Sequence, residues 1–167
     1  MAAAAGTVTC RVAHEGDLEA LAHLRWAFRA EDGEVPVDSP EAFRSRYAAA
    51  MAPALHDGRM TCWVAEVDGA IVSHMTVVRV PGVPRPSRAH DAWGYLTDAH
   101  TVAAWRGQGI GATLLAAVVA WARASDLELL LVSPSERGDA FYRRAGFADA
   151  ESFLTLTLRD FDAPPAA

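Results

Sequence analysis

Trp105-Arg106-Gly107-Gln108-Gly109-Ile110-Gly111-Ala112 stands between a strand-like segment and a strongly apolar helix. Glycine at three alternate positions removes side chains where a backbone must come close to something. The helix that follows turns its unpaired N–H groups toward the same place, and a helix N-terminus carries roughly half a positive charge. The stretch therefore predicts a binding site for a phosphate- or pyrophosphate-bearing ligand.

Outward from this loop, hydrophobic periodicity predicts the remaining elements. Residues 9–12 read as a strand. His14-Glu15-Gly16-Asp17 then opens a helix with Asp17 as N-cap or first-turn acid, and Leu18, Leu21, Leu24 and Phe28 share its apolar face. Glu31-Asp32-Gly33-Glu34 breaks that helix. A second follows Ser39-Pro40 and runs through Phe43, Tyr47 and Met51 toward Leu55. Strands over 60–67 and 70–80 flank Asp68-Gly69, a pair suited to a two-residue turn with positive φ. A proline-rich loop over 81–87 leads to a strand over 93–102. A helix over 109–124 carries Ile110, Leu114, Val118 and Ala122 on one stripe. Residues 127–132 are a continuous apolar run, which predicts a central strand. Ser133 and Ser135 lie in a turn, a short helix over 139–144 is closed by Gly146, and 152–158 alternates as a last strand. The order β-α-α-β-β-β-α-β-α-β predicts an α/β mixed sheet with helices on both faces. Its segment 93–132 is a β-α-β crossover holding a parallel pair.

The loop also satisfies G-x-G-x-x-G/A, the dinucleotide pattern. That pattern needs an acid at the C-terminal end of the next strand to hold a ribose. Here the strand ends in Val132-Ser133-Pro134, and its acids, Asp126 and Glu128, lie at the wrong end. The loop also follows a hairpin instead of opening a β-α-β-α-β series, so a nicotinamide site is disfavoured.

Composition narrows the function further. The 167 residues are 51% hydrophobic and 22% charged, which predicts one compact domain over 8–160 with disordered tails at 1–7 and 161–167. A net charge of −6 argues against a nucleic-acid partner. All 15 basic residues are arginine, which excludes chemistry through a lysine Schiff base or a P-loop lysine. Cys10 and Cys62 have no metal-ligand spacing, so free thiols and no metal are expected. The Met-Ala-Ala-Ala-Ala-Gly start has neither a basic region nor a long apolar run, and no segment is long enough to span a bilayer. A cytoplasmic protein without a membrane partner is expected.

Arg106-x-x-Gly109-x-Gly111 opening a helix resembles the acyl-CoA pyrophosphate loop of the GNAT superfamily of N-acetyltransferases. Phe141-Tyr142-Arg143-Arg144-Ala145-Gly146-Phe147 resembles its second motif, an aromatic-Tyr pair followed by Gly-Phe. Arg11-Val12-Ala13-His14-Glu15-Gly16-Asp17 before an amphipathic helix resembles its usual opening. The resemblance spans about residues 8–158. It implies a GNAT fold: a mostly antiparallel mixed sheet of about six to seven strands flanked by about four helices, with a splayed central parallel pair. It also implies acetyl-CoA as co-substrate, bound in the gap of that pair. Backbone of Ala99, His100 and Thr101 would meet the pantetheine; Arg106, Gly107, Gln108, Gly109, Ile110, Gly111 and Ala112 would hold the pyrophosphate. Ala103 stands where the family usually has Pro. Ser135, seven before Tyr142, stands where it frequently has a cofactor-contacting Asn, of whose hydrogen bonds a hydroxyl replaces one.

The implied reaction moves an acetyl group from the thioester directly to a primary amine of a small molecule. Tyr142 matches the family's leaving-group acid and would also touch the cofactor. Asp98 and His100 are two apart on one strand and share a face if no bulge intervenes. That makes His100 a candidate base with Asp98 orienting it or holding the amine; a water chain is the alternative, and His74 is a weaker candidate. Glu31, Asp32 and Glu34 make an acidic loop that would draw a cationic acceptor. Trp26, Phe28 and Trp93 are candidates for an apolar wall beside it. A non-catalytic CoA-binding regulatory module and a protein or peptide N-acetyltransferase remain the other readings. A homodimer through residues 152–158 is a further expectation.

Overall fold

A computed structural model describes residues 6–89 and 91–156. Most of the two expected tails, and residues 157–158 of the expected last strand, lie outside that range. Five strands form one sheet in the order β1-β2-β3-β4-β5: β1 (Val8–Val12), β2 (Met60–Val67), β3 (Ala70–Val80), β4 (Ala92–Thr101) and β5 (Leu127–Val132). The first four pair antiparallel, and β5 runs parallel to β4. The helices are α1 (Leu18–Glu31), α2 (Pro40–His56), α3 (Ile110–Ala124) and α4 (Glu136–Arg144). This is the mixed α/β architecture expected, with five strands among the described residues.

Local chemistry accounts for the elements that frame the site. Asp68 and Gly69 take φ of 50° and 81°, the primed turn that matches strand twist, and they bring Val67 opposite Ala70. Ahead of α1, the His14 ring accepts a hydrogen bond from the Gly16 N–H, and Asp17 accepts one from the His14 N–H at 2.8 Å. Asp17 also takes a 2.7 Å bond from Arg11. That bond, then the His14 N–H and the Arg11 charge, outweigh burial and hold its carboxyl at about 2.

The core lies on both faces of the sheet. On one face Leu114, Leu115 and Val118 of α3 pack with Ala65, Met75, Val77 and Leu96. On the other, Leu21 of α1 packs with Cys62 and Val64, beside Tyr47 of α2. Adjacent residues of β2 thus serve opposite layers. Burial pushes the Cys62 thiol up to about 12, so it stays an unreactive core group.

Two expectations change. The apolar run of β5 predicted a central strand, yet β5 is the last strand of the sheet as described, with Leu129 40% exposed. Residues 153–156 form no strand, and Leu154 and Leu156 are exposed. Nothing among the described residues pairs with the outer edge of β5, and the strand expected to carry dimer pairing is not formed over 152–156. None of the described helices is long and apolar enough to cross a membrane.

Candidate active site

The site opens where β4 outruns β5. Parallel pairing ends at Leu96↔Val132, while β4 continues to Thr101 with no neighbour on that edge. A cleft of about 480 Å³ fills this gap, walled by β4 from Tyr95 to Thr101, by Val132 to Ser135, by Tyr142 on α4 and by the last turns of α1.

Beyond the strand, a single turn of helix at Ala103–Trp105 leads to the glycine loop. Ala103 is the first residue of that turn. Gly107 and Gly109 take φ of 75° and 81° in open space. The first bond of the α3 ladder runs from the Thr113 N–H to the Gly109 carbonyl. The N–H groups of Ile110, Gly111 and Ala112 precede that ladder and have no carbonyl to meet within the helix. Gly111 lines the cleft, where an added Cβ would stand 3.2 Å from Thr101 Oγ1 and 3.7 Å from the Phe141 ring. The chain thus leaves a bare helix N-terminus at the mouth of a cleft, an arrangement that fits a pyrophosphate. Ile110 itself turns into the core.

β4 carries a bulge at the cleft. His74 faces His100 and Thr76 faces Thr97, so Asp98 and Ala99 together oppose the single residue Met75. The extra residue is absorbed at Asp98, whose φ is 52°. The regular alternation on which a shared Asp98–His100 face depended is therefore broken. Both side chains meet α1, but through different partners. Asp98 accepts a 2.7 Å bond from Arg25 and lies 3.3 Å from Nε2 of the fully buried His74, within ion-pair reach but not aligned for a hydrogen bond. Burial pushes its carboxyl up, yet His74 and then Arg25 outweigh that and hold it below the usual range. His100 stacks on Phe28 at 4.8 Å between ring centroids, and its Nε2 lies 3.1 Å from Arg106 Nη2 and 3.4 Å from Glu31 Oε1. Burial and then the neighbouring His74 push the His100 ring down, against the pull of Glu31.

Tyr142 is buried between Phe141 and Phe147, at 5.0 and 5.6 Å. Its hydroxyl has no hydrogen-bond partner among the described residues. Burial and then Tyr95 raise its ionisation above the ordinary phenol value, which keeps it a proton donor.

Of the residues expected at the cofactor, Ala99, His100, Thr101, Arg106, Gly111, Ser135 and Tyr142 line this cleft. Gly107, Gln108, Gly109, Ile110 and Ala112 form the adjoining turn. Ser135 Oγ caps α4 by accepting from the Gly138 N–H at 3.3 Å, so its oxygen is engaged in helix structure. On the acceptor side, Asp32 lines the cleft, but the acidic loop is neutralised. Glu31 is bonded to Arg106, and Asp32 and Glu34 are both bonded to Arg29. Trp26 does not line the cleft; its ring lies tilted against Phe43 at 5.4 Å, beside a separate hollow of about 160 Å³. Trp93 lies against Phe153, at 6.0 Å. Phe28 does line the cleft, together with Arg25 and Arg29, which sequence reasoning passed over. Their spacing along the α1 face was the available signal. Among the described residues no group of three or more His, Cys, Asp or Glu is placed to hold a metal.

Known proteins share this fold. A predicted acetyltransferase from Clostridium acetobutylicum, solved with acetyl-CoA, superposes with a TM-score of 0.77 at 22% identity over 91% of this chain and 97% of its own. A GCN5-related N-acetyltransferase from Ralstonia eutropha gives 0.73 at 24% identity over 90% and 99%. An aminoglycoside acetyltransferase from an uncultured soil metagenomic sample, in complex with sisomicin, gives 0.68 at 18% identity over 91% and 95%. These likenesses establish the fold. No curated protein matches in sequence. The Acetyltransferase (GNAT) family matches residues 18–147, and the chain belongs to that family.

Proposed function

We propose that this protein moves an acetyl group from acetyl-CoA to a primary amine of a small molecule, by direct transfer, in the cytoplasm. The observation that carries the reading is the cleft beyond Leu96↔Val132, with a bare helix N-terminus at one end and proton-handling side chains in its wall. The N–H groups from Gly107 to Ala112, with Arg106, hold the pyrophosphate. The free edge of β4 from Ala99 to Thr101 pairs with the pantetheine.

The amine must lose a proton before it attacks the thioester carbonyl. His100, held neutral by burial, and Asp98, held anionic by His74 and Arg25, are the groups that receive or direct that proton. As the C–S bond breaks, the electron pair goes to sulfur, and Tyr142 gives its proton to the departing thiolate. Asp32 at the end of α1 is the acid that lines the acceptor side of the cleft, Glu31 being held by Arg106. A small molecule is favoured because Arg25, Phe28 and Arg29 of α1 roof the cleft over β4. An amine-bearing small molecule also sits on the sisomicin-bound neighbour of the same fold.

The test is free-thiol release from acetyl-CoA by purified protein, alone and with a panel of primary amines. Amine-dependent release supports the reading. Tight CoA binding with no release from any amine would favour a regulatory module, and release with peptides alone would move the acceptor to proteins.

A further inference from the structure

Arg106 is the guanidinium that opens the anion loop, yet its side chain turns back across the cleft. Its Nε donates to the Thr101 carbonyl at 2.8 Å, and its Nη2 meets both the Glu31 carboxylate and His100 Nε2. Glu31 is the last residue of α1. A carboxylate is unfavourable at the negative end of a helix dipole, so its placement there needs the cation opposite. The Arg106 bond, more than any other influence, holds the Glu31 carboxyl below its usual range.

His100 reports a second cost of this arrangement. A guanidinium only donates, so Nε2 must accept from Arg106, and the ring proton of the neutral imidazole sits on Nδ1. Nδ1 is buried and has no partner. The other arrangement, Nε2–H donating to Glu31 Oε1 3.4 Å away, is blocked only while Arg106 occupies both groups. The other charged or titratable groups around the ring are His74 on β3 and Asp98 on β4; Asp98 is engaged with Arg25 and His74.

We propose that Glu31 is an exchangeable counter-ion: when a pyrophosphate takes Arg106, the carboxylate passes to His100, whose Nε2 changes from accepting to donating. This rests on the acetyl-CoA reading above and gives Glu31 a positioning role that couples the two halves of the cleft. Cofactor binding then sets the tautomer of His100.

The test uses CoA as probe, the full chain, and the variants Glu31→Ala, Arg106→Gln and the double variant. Glu31 and Arg106 are each about a third exposed, so all three fold. By calorimetry at low salt, E31A binds CoA about threefold more tightly than wild type, the size expected of a partly exposed ion pair. R106Q binds more weakly, and adding E31A to it changes nothing. ¹⁵N spectra of the His100 ring move from the Nδ1–H form to the Nε2–H form when CoA is added to wild type, and do not in E31A. An E31A affinity equal to or weaker than wild type, or a ring that keeps its tautomer on CoA binding, overturns the exchange. Failure of wild type itself to bind CoA at millimolar concentration would remove the acetyl-CoA reading beneath it, a result visible before any variant is made.

Discussion

Replacing Tyr142 by Phe separates chemistry from structure cleanly in this cleft. The ring packs edge-on to Phe141 and Phe147, and Phe keeps both contacts. The hydroxyl bonds to nothing among the described residues, so its removal orphans no partner. The stability change should stay within about 0.5 kcal/mol. If the hydroxyl supplies the proton for the departing thiolate, turnover should fall about 100-fold, the lower end for general acid catalysis because a thiolate is already a fair leaving group. That is about 2.7 kcal/mol of transition-state stabilisation. The assay is free-thiol release at saturating acetyl-CoA with an amine found by screening, run beside calorimetry with CoA and a thermal melt. CoA affinity should stay within about twofold. The pH profile adds a check. An acid loses activity as pH rises through its pKa, and burial raises that of Tyr142 above the ordinary phenol value. Wild-type turnover should therefore show no decline from Tyr142 between pH 7 and 9. A turnover in Y142F within about threefold of wild type, with affinity and melting unchanged, would remove Tyr142 from the mechanism.

Other outcomes follow from the same geometry. Asp98→Asn keeps a residue that tolerates the left-handed backbone but leaves Arg25 and His74 without their anion; urea melts should register a loss of roughly 2 kcal/mol. Because the His100 ring is held below its ordinary value, the unfolded chain takes up a proton there that the folded chain refuses. Stability should therefore fall as pH drops from about 7 through 6.5 toward the folded value, and His100→Gln should flatten that slope in urea midpoints measured across the window. Gly109→Ala meets no atom within 4 Å but must hold φ of 81°. It should cost roughly 1–2 kcal/mol in thermal melts, with Gly109→Asn costing less.

Much of the frame was legible because it depends on neighbours in sequence. Asp68-Gly69 set the hairpin, and the stripe from Ile110 to Ala122 set α3, through chemistry contained within a few residues. The walls of the cleft were less legible because they depend on groups far apart. Asp98 adopts its left-handed backbone against His74 on β3 and Arg25, which lies 73 residues away. No local pattern marks that bulge. The acidity of Glu31 reads locally as available to an acceptor, yet Arg106, 75 residues on, is bonded to it. The apolar run of β5 predicted neighbours on both sides, whereas periodicity specifies burial and not which segment provides it. The Gly109-x-Gly111 and Phe141-Tyr142 motifs pointed to the cleft because backbone shape and one aromatic pair are local properties.

Every cation in the cleft wall is a guanidinium: Arg25, Arg29, Arg106 and Arg137. A guanidinium keeps its proton at any pH the fold survives, so it is never a nucleophile. An acetyl thioester held among these groups finds charge without a reactive nitrogen. A lysine at any of the four positions would instead offer an amine within reach of the reagent, and the protein would become its own acceptor. The choice of cation thus keeps primary amines out of the walls around the reagent, leaving the His100 imidazole as the one nitrogen base among the described side chains that line the cleft.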